Sequence, residues 1–220
     1  MRKVDYRLNA IVDAGVLSGR DLPGLARAAA EGGATLIQYR DKTGSTRAMI
    51  ETAFAIRARL KGTGVPFVVN DRVDVALASG AAGVHLGRDD MDTETARRLL
   101  GPDAIIGSTV KNAEDAARAA GAPIDYACVG GVFETLSKDN PDPPVGLDGL
   151  ASLVQETRAR RPDLPVGAIA GITLERVPQV IAARAAGIAA ISAIFKADDP
   201  AEAARRFRAA IDAALSKELP

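Results

Sequence analysis

Gln38, Arg40 and Lys42 stand at alternate positions behind the apolar Leu36. In an extended strand alternate side chains share a face. One face therefore ends in an amide and two cations, while Ile37, Tyr39 and Asp41 take the other. Arginine offers a planar fork of donors and lysine a point charge, and both match phosphate oxygens. Further along come Asn70-Asp71 and Gly87-Arg88-Asp89-Asp90. Taken singly, each acid fits the start of the helix that follows it, where a carboxylate accepts backbone amide hydrogens. Taken together they suit magnesium, which binds one or two carboxylates and completes its shell with water and substrate phosphate. Asp71 and Asp90 are the carboxylates placed to do this. Cations facing paired acids imply a substrate carrying phosphate or diphosphate with Mg2+.

Later segments add weaker signals. Ser108 and Thr109 offer hydroxyls that suit either phosphate or a helix cap. Residues 130–146 form the longest irregular stretch, and loops of that length in compact domains tend to be functional or disordered. Within it Thr135, Ser137 and Lys138 read as ligand contacts, against a background of turn chemistry in Asp-Asn-Pro-Asp-Pro-Pro. Ala170-Gly171-Ile172-Thr173 and Ser192-Ala193 are small enough to let backbone amides approach an anion. Tight helix–strand packing explains them equally well. His85, the only histidine, reads as a structural hydrogen-bonding residue, and the lone Cys128 as inert core.

These segments need a scaffold that gathers them. Apolar runs recur at 8–12, 35–39, 65–69, 83–86, 104–107, 125–129, 165–169 and 188–191. Helical stretches follow them at 22–31, 46–61, 72–79, 92–100, 113–120, 147–161, 174–186 and 200–215. Strict alternation implies a parallel sheet with helical crossovers, and eight units imply a closed (β/α)8 TIM barrel. An open doubly wound sheet is the second choice, but Asp13-Ala14-Gly15-Val16-Leu17-Ser18-Gly19 matches its glycine-rich fingerprint poorly. In a barrel the sites lie at the C-terminal ends of the strands, where every candidate above falls.

Composition sets the remaining bounds. No linker divides residues 1–220, so the expectation is a single catalytic domain. Acidic and basic residues balance to zero net charge, which leaves no basic surface for nucleic acid. No apolar run approaches the ~20 residues that span a bilayer, and no secretory leader is visible. A soluble, cytoplasmic protein acting on small molecules is expected, with no nucleic-acid or membrane partner. Assembly into a homo-oligomer is compatible with the sequence and not specified by it.

The strand-end segments Gln38-Tyr39-Arg40-Asp41-Lys42, Val69-Asn70-Asp71-Arg72-Val73-Asp74-Val75-Ala76 and Gly83-Val84-His85-Leu86-Gly87-Arg88-Asp89-Asp90-Met91 resemble the thiamine phosphate synthase family. The likeness runs through almost the whole chain. It implies a transferase of thiamine biosynthesis. Such an enzyme joins 4-amino-2-methyl-5-(diphosphooxymethyl)pyrimidine to a thiazole phosphate, giving thiamine phosphate and diphosphate. The resemblance places the pyrimidine diphosphate on Gln38, Tyr39, Arg40, Asp41, Lys42, Asn70, Thr109 and Lys138. Arg40, Lys42 and Lys138 then assist departure of the diphosphate, and Asp71 and Asp90 hold magnesium. The thiazole phosphate falls to Thr135, Leu136, Ser137, Gly171, Ile191 and Ser192. The chain departs from the family pattern at Gly107-Ser108-Thr109, where Gly-Val-Ser is usual. Lys111 stands where histidine is common, and Glu134-Thr135-Leu136-Ser137-Lys138 replaces Pro-Thr-Pro-Thr-Lys. Ala170 replaces the first glycine of a pair. Hydroxyls survive at Thr109, Thr135 and Ser137.

Three other readings compete with this one. A thiazole tautomerase would not need Arg40, Lys42, Asp71 and Asp90 together. A non-catalytic barrel that senses a phosphorylated metabolite would bind without turnover. A generic phosphate-binding isomerase would show an acid/base pair at the strand ends, and none is apparent.

Overall fold

A computed structural model describes residues 4–135 and 143–217. Eight parallel strands close into a barrel in sequence order. They are β1 (Leu8–Asp13), β2 (Leu36–Arg40), β3 (Phe67–Asn70), β4 (Gly83–Leu86), β5 (Ile105–Val110), β6 (Tyr126–Val129), β7 (Val166–Ile169) and β8 (Ile188–Ala190). The helices that wrap them are α1 (Leu22–Glu31), α2 (Thr46–Arg59), α3 (Val73–Ser79), α4 (Thr93–Leu100), α5 (Ala113–Gly121), α6 (Gly146–Arg160), α7 (Val177–Ala182), α8 (Ser192–Phe195) and α9 (Pro200–Lys217). Among the described residues no helix is long and apolar enough to cross a membrane.

Each strand is buried on both faces, which explains why the runs read as nearly continuous apolar stretches. Outward side chains such as Ile37, Val69, Val84 and Ile106 pack under the helices. Inward ones form a separate cluster, including Tyr6, Ile11, Leu36, Val68, Ile105, Tyr126 and Cys128, that plugs the barrel's N-terminal half. With no tryptophan in the chain, Tyr6 and Tyr126 supply the bulk there, their ring centroids 4.7 Å apart. Two strand glycines make room for them. A Cβ on Gly107 would collide with the Tyr126 ring, and one on Gly167 with the Tyr6 ring. The plug stops short of the C-terminal rim and leaves an open mouth.

Two boundaries differ from the sequence reading. β5 runs on through Ser108, Thr109 and Val110, which pair with Ala127, Cys128 and Val129 of β6. Thr109 is therefore a strand residue rather than a loop residue. The stretch 174–186 is not one helix. It begins as a 3-10 turn, Leu174–Arg176, and α7 ends by Arg184, whose φ is +66°. The single turn of α8 has no counterpart in the sequence reading. Four residues with no polar periodicity carry too little pattern to register.

Candidate active site

Register places the cations. Ile11 pairs with Gln38, and Asp13 with Arg40, so alternate residues of β1 and β2 enter the mouth side by side. The Arg40 guanidinium donates to Asp13 Oδ2 at 2.5 Å, and Asp13 Oδ1 accepts the Gly15 and Val16 amides at 3.0 Å each. Asp13 is almost wholly buried, so it fixes the arginine from below. Lys42, just beyond the strand, forms an ion pair with Asp71. The side chains of Tyr39 and Asp41 point the other way, as alternation requires. Tyr39 is buried and its hydroxyl donates to Asp41 Oδ2 at 3.0 Å. Asp41 in turn accepts the Thr43 and Gly44 amides. Burial pushes the Asp41 carboxyl up, but these amides outweigh it and leave it below the usual range. Neither residue lines the mouth, so both shape the turn that carries Lys42.

The acids sit opposite. Asp71 adopts φ +63°, a left-handed conformation that aspartate tolerates better than most residues. Its amide donates to the His85 carbonyl at 2.8 Å, which ties the end of β3 to β4. Burial, then the neighbouring Asp90 carboxyl, raise its pKa from 3.8 to about 6, with Lys42 opposing. Asp90 Oδ2 accepts the Gly87 amide at 2.7 Å. Neither acid caps the helix that follows it. The N-cap of α3 is Arg72, with no side-chain bond, and α4 is capped by Asp92. Likewise Asn112, not Ser108 or Thr109, caps α5. The capping explanation of these strand-end residues therefore falls away.

Gln38, Arg40, Lys42, Asn70, Asp71, Asp90 and Thr109 all line one cavity of about 390 Å3. Its wall includes a short polar relay. His85 ring nitrogens lie 2.9 Å from Thr109 Oγ1 and 3.1 Å from the Tyr126 hydroxyl. The imidazole is stacked on Tyr126 with centroids 5.5 Å apart, in keeping with the structural role expected of it. Cys128 is buried in the same wall.

A second cavity of about 480 Å3 opens above β7 and β8, lined by Thr135, Gly171, Ile191 and Ser192 among others. Ile169, Ala189 and Ile191 line both cavities. Two ligands would thus meet across one aliphatic wall. Ala170 has φ +94° and Gly171 φ +63°, so the chain turns here in a conformation that favours glycine at both positions. Leu136, Ser137 and Lys138 lie outside the described residues.

Sequence reasoning overlooked several lining residues. Asn9 sits in the mouth with its Oδ1 buried and unpartnered. Its signal was present, since it is the one polar residue between Leu8 and Val12. Arg88 reaches from the β4 loop to the buried Asp115 at 2.8 Å. Burial pushes the Asp115 carboxyl up, but Arg88 and the Lys111 amide hold it below the usual range. Arg176 and Lys196 line the second cavity. Arg176 stands in a stretch read as helical, where a cation normally means a wet surface, and Lys196 follows the single turn of α8, so neither gave a signal.

A family profile described as thiamine monophosphate synthase matches residues 8–194. The thiamine-phosphate synthase of Agrobacterium fabrum is 65% identical over 220 residues, covering 100% of both chains. That of Chloroflexus aurantiacus is 44% identical over 216 residues, covering 98% of this chain and 97% of the relative. Among solved structures, the thiamine phosphate pyrophosphorylase of Pyrococcus furiosus superimposes with a TM-score of 0.83 at 36% identity, covering 96% of this chain and 98% of that one. A 3-hexulose-6-phosphate synthase matches at TM-score 0.61 and 21% identity, a likeness of fold alone. The tautomerase and sensor readings gain no support from these relatives.

Proposed function

This chain belongs to the thiamine monophosphate synthase family, and from that premise we propose how its two cavities divide the work of thiamine phosphate synthesis. The cavity lined by Gln38, Arg40, Lys42 and Asn70 takes the aminopyrimidine diphosphate. The cavity lined by Thr135, Gly171, Ile191 and Ser192 takes the thiazole phosphate. One observation carries this division: the two cavities are distinct yet share Ile169, Ala189 and Ile191. Across that wall the pyrimidine methylene and the thiazole nitrogen would meet.

The reaction then needs little from the protein beyond positioning and charge. The methylene C–O bond breaks and its electron pair leaves with diphosphate. The thiazole nitrogen lone pair forms the new C–N bond. No proton moves in that exchange, which accounts for a site rich in cations and poor in acid/base pairs. Arg40, held by Asp13, and Lys42 neutralise charge as it grows on the leaving group. Lys138 is assigned the same task by resemblance. Gln38 joins the cations on the diphosphate, and Thr109, oriented by His85, contacts the pyrimidine substrate. Holding both partners in register supplies the entropic part of the acceleration.

The donor set fits magnesium. Asp71 and Asp90 are adjacent carboxyls, and Asp71 is reluctant to ionise, first because it is buried and then because Asp90 lies beside it. A divalent cation relieves that repulsion. Asp71 and Asp90 would hold the ion, with substrate oxygens and water completing its shell, as is usual for this ion. When bound, Mg2+ supplies further charge neutralisation to the diphosphate.

The test is an assay with the pyrimidine diphosphate, the thiazole phosphate and magnesium, following thiamine phosphate and released diphosphate. Product is expected only with all three. A folded protein that binds both substrates and forms no product refutes the division of labour.

A further inference from the structure

The proposed thiazole half of the site is lined mainly by small residues and backbone, which present amide dipoles but no net charge. Two cations nevertheless line the same cavity: Arg176, on the 3-10 turn after β7, and Lys196, directly after α8. Arg176 is held in place twice. Its Nη1 donates to the Gly171 carbonyl at 2.7 Å, and its guanidinium carbon lies 4.3 Å from the Phe133 ring centroid. Among the described residues Lys196 is exposed and makes no side-chain hydrogen bond or ion pair, and Glu134 is the one acid lining the cavity. Among those residues Glu134 forms no ion pair with either cation.

We propose that Lys196 and Arg176 form a cationic clamp on the phosphate of the thiazole substrate, adding side-chain charge to the backbone cradle at Gly171 and Ser192. Arg176 is the fixed arm. Anchoring to Gly171 and Phe133 sets its remaining donors without further loss of freedom on binding. Lys196 is the mobile arm, with an ammonium that finds its partner only when the phosphate arrives. The two substrates thereby carry their anions at opposite sides of the shared wall, each with its own pair of cations, so neither phosphate group competes for the other's subsite. This inference rests on the assignment of the second cavity to the thiazole phosphate.

The experiment is steady-state kinetics on Lys196→Gln, Arg176→Gln and Lys196→Arg, varying each substrate in turn. Loss of one charge-assisted contact at a half-open site is expected to raise KM for the thiazole phosphate about tenfold. KM for the pyrimidine diphosphate should stay within about twofold, since that phosphate is read elsewhere. Lys196→Arg should restore most of the loss. Raising salt from about 50 to about 300 mM should raise the wild-type KM for the thiazole phosphate more than that of Lys196→Gln. An unchanged thiazole KM, or equal rises for both substrates, overturns the clamp while leaving the reaction in place. If the wild type forms no product, the reaction assignment has failed instead. Calorimetric titration with the thiazole phosphate then decides the clamp: weaker binding to Lys196→Gln supports it, and absence of binding to the wild type overturns it.

Discussion

Replacing Asp71 by asparagine should abolish magnesium-dependent turnover and, in the metal-free protein, raise stability at neutral pH. Asp71 carries a pKa raised from 3.8 to about 6, first by burial and then by Asp90. A folded state that raises a carboxyl's pKa favours the protonated form. The wild type therefore loses stability as pH climbs from about 4 to about 6, and the loss is complete above that window. A rise of that size sets a ceiling of about 3 kcal/mol on the loss. Partial exposure of the site, and the loss of its partner by Lys42, bring the expected gain at pH 8 to about 2 kcal/mol. Asparagine is the informative substitution because, like aspartate, it accepts the left-handed φ of +63°, so the backbone is not further strained. Urea denaturation in a chelator at several pH values between about 4 and about 8 measures this. The stability gap between variant and wild type should widen with pH and approach zero at the acid end. Parallel curves would show that Asp71 is not a strained carboxylate. A variant retaining full magnesium-dependent activity would remove it from the metal site.

Other perturbations probe the remaining parts. Chelator should stop turnover and added Mg2+ restore it, and Mg2+ should raise the melting temperature of the wild type but not of Asp71→Asn. Asp13→Asn keeps an acceptor for the Gly15 and Val16 amides and removes only the charge beneath Arg40. It should raise KM for the pyrimidine diphosphate about tenfold at nearly unchanged thiazole KM, and equal effects on both would deny Asp13 a positioning role. Ala170→Gly should stabilise the fold by up to about 1 kcal/mol, since relief of strain at φ +94° outweighs the extra freedom of the unfolded chain. Thermal or chemical denaturation reads it directly, and destabilisation would mean the turn holds no strain. Gly107→Ala should destabilise strongly, by about 3 kcal/mol or more, because its methyl meets the buried Tyr126 ring; a change near zero in urea would show that the barrel plug can yield.

The barrel was legible because its signal repeats. Strands buried on both faces produce apolar runs, and each is followed by a helix with a polar rhythm, so eight weak observations reinforce one another. The cationic side of the mouth was legible for a related reason. Arg40 and Lys42 alternate with Tyr39 and Asp41, and alternation on a closed sheet has only two destinations. The structure sends the cations into the mouth and buries Tyr39 under the helices. Sequence could not settle whether Asn70, Asp71 and Asp90 were caps, because a capping carboxylate and a metal-binding one occupy the same place beside a helix start. Only the geometry separates them: Asp92 and Asn112 do the capping, which leaves Asp90 and Thr109 facing the cavity.

The proposed thiazole half resisted for a deeper reason. A site made from side chains writes itself into residue identity, whereas one made from backbone amides asks only that side chains be small. Small residues also serve close packing, so Ala170-Gly171 and Ser192-Ala193 carry two meanings with one spelling. Ala170 adds a φ of +94° to that turn. The Phe133 amide donates to the Ala170 carbonyl at 3.2 Å and Gly171 lies against Phe133 and Glu134, and strain of this kind persists where surrounding structure imposes it. Gly171, next in the chain, has its carbonyl claimed by Arg176 while its own backbone borders the cavity. The turn is therefore fixed from outside by a cation and strained from within by a methyl. Such an arrangement holds the turn at a fixed angle, and it explains how an alanine can stand beside Gly171 while the backbone still borders the cavity.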